Sequence, residues 1–175
     1  MEDAVHHFQA VAWWTSGRAG ITKSDSAPNA IHFTSPPAFG GLEGRWTPEE
    51  LLLCSVASCY TTTFSALADG SKLEYSDLGV EVEGTFRKVD SGYAFTEISI
   101  RPKLTIPSEL EQQRALRLLQ KAKSLCLVSR ALSVEQKFEP SVRAGAPQSQ
   151  NDRTDLDSSP HSLACTIPSS PTYPT

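Results

Sequence analysis

The amino-acid sequence predicts an α+β fold. Three short segments of strand-like composition precede a long helix, which opens at the motif Thr47-Pro48-Glu49-Glu50. An alternating apolar pattern across residues 78–106 then predicts a β-hairpin. A second helix, a short helical segment and a last strand complete the order βββ-α-ββ-α-α-β.

Length and composition limit the possible classes of protein. The chain has 175 residues, which corresponds to about one domain, and 39% of them are hydrophobic. The net charge is −4 and there is no block of basic residues, so no nucleic-acid partner is predicted. The longest purely apolar run is only a few residues, so no membrane partner is predicted either. The start, Met1-Glu2-Asp3-Ala4, is acidic where a signal peptide would be basic, and we therefore expect a cytoplasmic protein.

The C-terminal segment differs in composition from the rest. Residues 145–175 are rich in Ser, Thr and Asp and contain five of the twelve prolines, with few large apolar residues. Such a segment buries too little apolar surface to offset its ordering entropy, so it is predicted to be a disordered tail. The sequence thus predicts one domain over residues 1–144, and Cys165 falls in the tail.

Three strands are expected near the N-terminus. Residues 5–15 are rich in Phe, Val and Trp, and residues 20–24 and 30–35 form two shorter apolar runs. A turn is predicted at 17–20, where Arg18 stands between glycines.

The long helix has a well-defined start. Thr47 is the predicted N-cap, Pro48 the first helical residue, and Glu50 completes a capping box. The helix should run to about Ala68, with Gly70 near its end. Because its apolar residues occupy nearly every face, we expect it to be buried all round, between sheets or in a subunit interface. These residues are Leu51, Leu52, Leu53, Val56, Ala57, Phe64, Ala66 and Leu67.

The hairpin should turn at residues 90–92, and its alternation slips between Phe95 and Ile98, which predicts a bulge. A second capping box, at Ser108 and Glu111, predicts a helix through about Lys123. The apolar side of that helix would consist of Leu110, Ala115, Leu118, Leu119 and Ala122. A short segment, Cys126 to Leu132, precedes a last strand from Val134 to Phe138.

The cysteines are candidates for chemistry. They form no C-x-x-C pair, and the four histidines show no zinc-finger spacing, so neither a metal site nor a cofactor is predicted. Five residues of helix rotate by about 140°, so Cys54 and Cys59 face different ways and at most one of them is reactive. For Cys59 the alternative to a reactive thiol is a buried core cysteine.

A reactive thiolate requires nearby positive charge or hydrogen-bond donors. Arg18 is the candidate cation, with an exposed turn arginine as the alternative interpretation, and Arg45 is a second candidate. Glu49 is the candidate carboxylate to orient the cation, because Glu50 is occupied at the cap. The alternative for Glu49 is a first-turn acid that stabilises the helix dipole.

Three segments together resemble the OsmC/Ohr family, the osmotically inducible protein C and organic hydroperoxide resistance proteins. Residues 47–52 and 57–60 (TPEELL and ASCY) are similar to the PEELL…ACF signature of that family. Residues 125–132 (LCLVSRAL) resemble its second cysteine motif, although Leu127 replaces the usual proline. Residues 16–20 (SGRAG) resemble its arginine turn, and the resemblance covers roughly residues 6–140.

The resemblance implies an OsmC-like fold, with antiparallel sheets packed around a buried central helix in an intertwined homodimer. It further implies a thiol-dependent peroxidase that reduces organic hydroperoxides. Cys59 would be the peroxidatic cysteine and Cys126 the resolving cysteine, forming a Cys59–Cys126 disulfide that an external dithiol, such as a lipoyl group, reduces. Arg18 would stabilise the thiolate and the leaving alkoxide, and Glu49 would orient Arg18.

Helix geometry adds a constraint. Ten residues at 1.5 Å rise place Glu49 and Cys59 about 15 Å apart along the helix, too far to share one arginine comfortably. We therefore expect shared sites, in which Arg18 and Glu49 of one subunit reach Cys59 of the other.

Six aromatic residues would suit an apolar pocket for bulky hydroperoxides, or would simply be core and interface residues. They are Trp13, Trp14, Phe33, Phe39, Trp46 and Tyr60. Two other classes of function remain open: a non-catalytic dimer that binds an apolar ligand, and a redox sensor that uses the same cysteine pair.

Overall fold

A computed structural model describes residues 5–145. It has the α+β architecture predicted from the sequence. The tail predicted at 145–175 lies outside the described residues from position 146 onward, and so does Cys165. The elements are β1 Val11–Ser16, β2 Ala19–Lys23, β3 Ile31–Thr34, α1 Pro48–Ser71, β4 Asp77–Val89, β5 Gly92–Ile106, α2 Gln112–Leu125, α3 Leu127–Ala131, β6 Glu135–Phe138 and β7 Ser141–Ala144, with 3₁₀ turns at Pro37–Phe39 and Glu109–Glu111.

The N-terminal sheet is antiparallel in the order β1-β2-β3. Its first strand begins at Val11 rather than at residue 5, and the turn consists of Gly17, with φ +52°, and Arg18. Gly20 belongs to β2 and not to the turn. A Cβ at Gly20 would lie 2.5 Å from the ring of Phe33, so the glycine allows that ring to pack directly on the strand.

The second sheet is built on the long β4–β5 hairpin, which pairs from Asp77 opposite Thr105 to Val89 opposite Gly92. The predicted bulge is present: Thr85 pairs with Glu97 and the next residue pairs with Phe95. Both β6 and β7 pair in parallel with the free edge of β5. The strand β7 was not predicted, because its four residues contain one large apolar side chain and follow a proline.

Helix α1 begins with the predicted capping box. The backbone N–H of Thr47 donates to Glu50 Oε2 at 2.8 Å, and the Thr47 hydroxyl accepts from the Glu50 N–H at 3.2 Å. The helix continues through Gly70 to Ser71, and Lys72 (φ +55°) supplies the left-handed C-cap that was expected near the glycine.

The expectation that α1 is buried all round is wrong for the single chain. One stripe of the helix is fully buried, while the opposite stripe is exposed. By length and composition α1 could cross a membrane, but a core helix has the same properties, and its buried stripe shares one hydrophobic core with residues of β5 and α2. The buried stripe is Val56, Tyr60, Phe64 and Ala68, and the exposed stripe is Cys54, Ser58, Thr62 and Ala66.

The second helix starts later than predicted. Ser108 caps a 3₁₀ turn through the Leu110 N–H, and the Glu111 carboxylate pairs with Arg114 instead of closing a capping box. The α-helix proper therefore begins at Gln112. Leu110 is 94% exposed and is not part of the apolar face, whereas Ala115, Leu119 and Ala122 are buried as predicted.

Candidate active site around Cys59 and Cys126

Cys59 lies in the middle of α1, partly buried and packed against the hydrophobic core. Cys54 lies on the exposed stripe of the same helix. The two thiols therefore face different surroundings, as the helical rotation predicts. Cys59 is next to the buried stripe because it immediately precedes Tyr60.

Cys126 is fully buried at the junction of α2 and α3. Its N–H donates to the Ala122 carbonyl at 2.9 Å and ends α2, while its own carbonyl accepts the N–H of Arg130 at 3.1 Å and begins α3. The break between the two helices turns the Cys126 side chain toward α1, where it hydrogen-bonds to Cys59. The structure thus brings together the two cysteines that were singled out from the sequence.

The surroundings of Cys59 favour its thiolate. Partial burial raises the pKa of Cys59, but four hydrogen bonds oppose this effect, and the pKa lies below the ordinary thiol value. The donors are the backbone N–H of Val128, the Cys126 thiol, the backbone N–H of Leu127 and the Thr63 hydroxyl. The stabilisation of the thiolate within this chain therefore comes from neutral groups.

Sequence reasoning missed these neutral donors. Thr63 is one helical turn beyond Cys59, and its single hydroxyl proton serves either the Cys59 sulfur or the Cys59 carbonyl, which lies 2.8 Å from the hydroxyl oxygen. The i, i+4 spacing of a cysteine and a threonine was the available signal. The N–H groups of Leu127 and Val128 are the first two of α3, which have no partner within their own helix.

Tyr60 is a core residue and not part of a ligand pocket. Its side chain is fully buried, and its hydroxyl donates to the Leu119 carbonyl at 2.9 Å. Burial raises the pKa of Tyr60, and the nearby Cys126 raises it further. Tyr60 therefore fixes α1 to α2 beside the cysteine pair.

Arg18 lies at the tip of the first hairpin, exposed, and its guanidinium donates to the Phe39 carbonyl. Within residues 5–145 it forms no ion pair or side-chain hydrogen bond with Glu49 or Cys59. One chain alone therefore does not assemble all four residues predicted for the site. Arg45, the other candidate cation, is exposed in the loop before α1.

The side chain of Glu49 has one carboxylate oxygen in an energetically unfavourable environment. Its Oε2 atom is buried and has no hydrogen-bond partner among the described residues, although Glu50 beside it is fully used in the capping box. A buried carboxylate oxygen without a donor is costly, typically by about 1–3 kcal/mol. Within the described chain, no donor satisfies this oxygen.

The predicted aromatic pocket is not formed as one group in the described chain. Phe39 packs edge-on against Phe86 and Tyr93 at the end of the long hairpin, with ring centroids 5.9 and 5.1 Å away. The three tryptophans lie on or beside the N-terminal sheet and are 49–75% exposed. They are Trp13, Trp14 and Trp46.

Comparisons with known proteins give a consistent result. The sequence profile described as "OsmC-like protein" matches residues 41–141. An uncharacterised protein of Bacillus subtilis (strain 168), YmaD, is 31% identical over 147 residues, which cover 81% of this chain and 98% of that protein. A protein of Staphylococcus aureus (strain MSSA476) named organic hydroperoxide resistance protein-like is 29% identical over 71% of this chain and 87% of its own length.

Solved structures share the fold. A structure of an OsmC-like protein of unknown function from Vibrio cholerae superimposes with a TM-score of 0.70 at 17% identity, covering 78% of this chain and all of that one. The two chains therefore share the arrangement of sheets and central helix.

Proposed function

The chain belongs to the OsmC-like protein family, and we propose that it is a thiol-dependent peroxidase that reduces organic hydroperoxides to alcohols. The observation that carries the proposal is the contact between Cys59 and Cys126, at a thiol whose pKa is lowered. A domain kept only to bind a ligand would need neither feature. The relative named organic hydroperoxide resistance protein-like supports the choice of substrate class.

The first step uses the Cys59 thiolate as nucleophile. Its sulfur attacks the terminal oxygen of the hydroperoxide, the O–O bond breaks, and the remaining alkoxide takes a proton and leaves as the alcohol. Cys59 is oxidised by two electrons to the sulfenic acid. Hydrogen bonds from Val128, Leu127 and Thr63 hold the sulfur anionic for this step.

The second step uses Cys126. Its thiol attacks the sulfenic sulfur, an S–S bond forms, and the hydroxyl group leaves with the thiol proton as water. A dithiol, for which a lipoyl group is the expected source, then supplies two electrons and two protons and restores both thiols. Because the Cys126 side chain is fully buried and Cys59 is not, the dithiol reaches the Cys59 sulfur first.

Arg18 and Glu49 complete the site across a homodimer in this proposal. Glu49 has a buried oxygen without a partner among residues 5–145, and Arg18 is held on a loop with its guanidinium at the surface. Paired in the dimer, they would bring a fixed positive charge to Cys59 of the other subunit, where it stabilises the thiolate and the leaving alkoxide. The distance of about 15 Å between Glu49 and Cys59 along α1 favours this division between subunits.

The exposed apolar surface supports the dimer. Trp13, Trp14 and Trp46 are large apolar side chains exposed on or beside the N-terminal sheet, which packs mainly against itself, and α1 exposes one stripe of small and polar side chains. Apolar patches of this kind mark interaction surfaces in soluble proteins. Covered by a second copy, they would also provide apolar walls that suit an organic hydroperoxide better than hydrogen peroxide.

A cytoplasmic location fits this chemistry, because a reducing compartment keeps Cys59 and Cys126 as thiols and supplies the dithiol. The domain that carries the activity would extend over residues 1–144, and the cycle needs no cofactor or metal.

The test is steady-state consumption of hydroperoxide with dihydrolipoamide as reductant. We expect the wild type to turn over cumene hydroperoxide faster than hydrogen peroxide, and Cys59→Ser to lose the activity. Without reductant, Cys126→Ser should consume about one equivalent and stop at the Cys59 sulfenic acid with no disulfide, whereas the matched control Cys54→Ser, on the exposed stripe, should form the disulfide as the wild type does. Full activity in Cys59→Ser would refute the proposal, and stoichiometric oxidation of wild type without turnover would indicate a sensor.

A further inference from the structure

One amide side chain ties together the elements around Cys126. Gln136, on β6, donates from Nε2 to the carbonyls of Ser129 at 2.7 Å and Leu132 at 3.1 Å, at the C-terminal end of α3. Its Oε1 accepts from Lys123 Nζ, in the last turn of α2, at 2.7 Å. Carbonyls only accept and an ammonium only donates, so these three partners fix the orientation of the amide.

The short helix α3 needs such support. It has five residues, and a helix of that length is not stable by itself in water. Cys126 is its N-cap, and its first two N–H groups, at Leu127 and Val128, donate to Cys59. A movement at the end of α3 held by Gln136 is therefore transmitted, within about one and a half turns, to the resolving cysteine.

We propose that Gln136 is a positioning residue that holds α3 so that the Cys126 sulfur faces Cys59, and that it governs disulfide formation more strongly than the reaction with peroxide. This inference rests on the proposed function, which defines the two steps as the reaction of Cys59 with peroxide and the formation of the Cys59–Cys126 disulfide. It adds a residue, outside the four predicted ones, on which the second step depends.

The two steps differ in their geometric demands. The peroxide is a diffusing reactant and needs the Cys59 thiolate. The disulfide joins two side chains of fixed origin, whose Cβ atoms must come within about 3.5–4.5 Å with a defined dihedral angle. A misplacement of about 1 Å in such an intramolecular reaction slows it by up to about a hundredfold. The Cys126 side chain is fully buried and therefore cannot sample other orientations freely.

Three variants distinguish the effect of the Gln136 hydrogen bonds to α3 from the effect of its hydrogen bond to Lys123. Gln136→Leu removes all of its hydrogen bonds, and Gln136→Glu keeps an acceptor for Lys123 but loses the donation to Ser129 and Leu132. Lys123→Met is the matched control, since it leaves both bonds from Gln136 to α3 in place. We expect disulfide formation to slow about tenfold or more in both Gln136 variants and by less than about threefold in Lys123→Met.

Single-turnover kinetics in a Cys54→Ser background distinguish positioning from general destabilisation. After one equivalent of cumene hydroperoxide, sulfenic acid is trapped with dimedone and disulfide is counted by loss of alkylatable thiols, at a temperature where every variant is folded. Raising the pH should restore the peroxide step of Gln136→Leu, because it restores the thiolate, while disulfide formation stays slow. Equal slowing of both steps at every pH, or wild-type disulfide formation in Gln136→Leu, would overturn the proposal.

Failure of the proposed function leaves this inference testable. Diamide takes two electrons and two protons from a thiol pair and forms the Cys59–Cys126 disulfide without peroxide. If the wild type does not consume hydroperoxide, the proposed peroxidase is refuted, yet the comparison of Gln136→Leu with Lys123→Met under diamide still applies. Slower closure in Gln136→Leu alone supports positioning of α3, and equal rates in both variants contradict it.

Discussion

Mixing two inactive variants tests whether the site is shared between subunits. Arg18→Ala keeps Cys59 but lacks the cation, and Cys59→Ser keeps Arg18 but lacks the nucleophile. In a dimer with shared sites, a mixed pair regains one complete site, which contains Cys59 of one subunit and Arg18 and Glu49 of the other. With sites confined to single chains, every site in the mixture remains defective.

The division of the site between subunits sets the activity expected of the mixed sample. Glu49 and Cys59 are ten residues apart on one continuous helix, which is about 15 Å, and Glu49 Oε2 has no hydrogen-bond partner among residues 5–145. Equal mixing of two subunits yields mixed dimers in about half of the population, each with one restored site in two. The expected activity is therefore about a quarter of the wild-type value, well above that of either variant.

The assay requires subunit exchange before the measurement. The two variants are denatured together in urea, refolded at equal concentration, and compared with each variant refolded alone, using cumene hydroperoxide and dihydrolipoamide. Refolded wild type provides the reference. Mixed samples no more active than the mean of the separate variants would refute the division of the site between subunits, provided that the separate variants are dimeric.

Three further predictions concern the thiol, the core and the helix cap. In a Cys54→Ser background, the pKa of Cys59, read from the pH dependence of its alkylation, should lie below that of an unperturbed cysteine thiol, so the rate reaches its plateau at lower pH than for a model thiol; a midpoint at or above that of the model thiol would contradict the described hydrogen bonds. Tyr60→Phe, which removes the buried bond to Leu119, should lower the free energy of unfolding in urea by about 1 kcal/mol, and an unchanged midpoint would show that this bond contributes nothing net. Thr47→Ala should cost about 1 kcal/mol in the same assay, with Thr47→Ser as a control that keeps the cap, and equal losses in both variants would argue against the capping box as the cause.

The features that could be predicted from the sequence are those encoded by neighbouring residues. The capping box at Thr47 and the bulge opposite Thr85 each depend on a few adjacent side chains, and both are present in the structure. The same local reasoning was wrong at Ser108, because the Glu111 carboxylate has a competing partner in Arg114 and the chain forms a 3₁₀ turn first.

The end of α1 and the strand β7 could not be predicted from neighbouring residues. Gly70 was expected to end the helix, yet Lys72 adopts the left-handed conformation and the helix includes the glycine. The four residues from Ser141 form a strand because the edge of β5 between Lys103 and Ile106 is available to them. The strand β7 depends on this tertiary partner, which a single sequence does not reveal.

The candidate site was also predictable only in part. Cys59 and Cys126 are 67 positions apart, so their contact followed from the family resemblance and not from spacing, and the structure places them together. The donors at Leu127, Val128 and Gln136 were missed, because backbone N–H groups and a strand glutamine leave no mark in a motif.

In the proposed cycle, Cys59 reduces a hydroperoxide and Cys126 converts the resulting sulfenic acid to a disulfide. The most direct measurement adds one equivalent of cumene hydroperoxide to the reduced Cys54→Ser protein and determines the products by mass spectrometry and chromatography. We expect one equivalent of cumyl alcohol and one intramolecular disulfide between Cys59 and Cys126, with no oxidation in Cys59→Ser. Alcohol formation that persists in Cys59→Ser, or a wild-type protein that remains reduced in the presence of the peroxide, would contradict it.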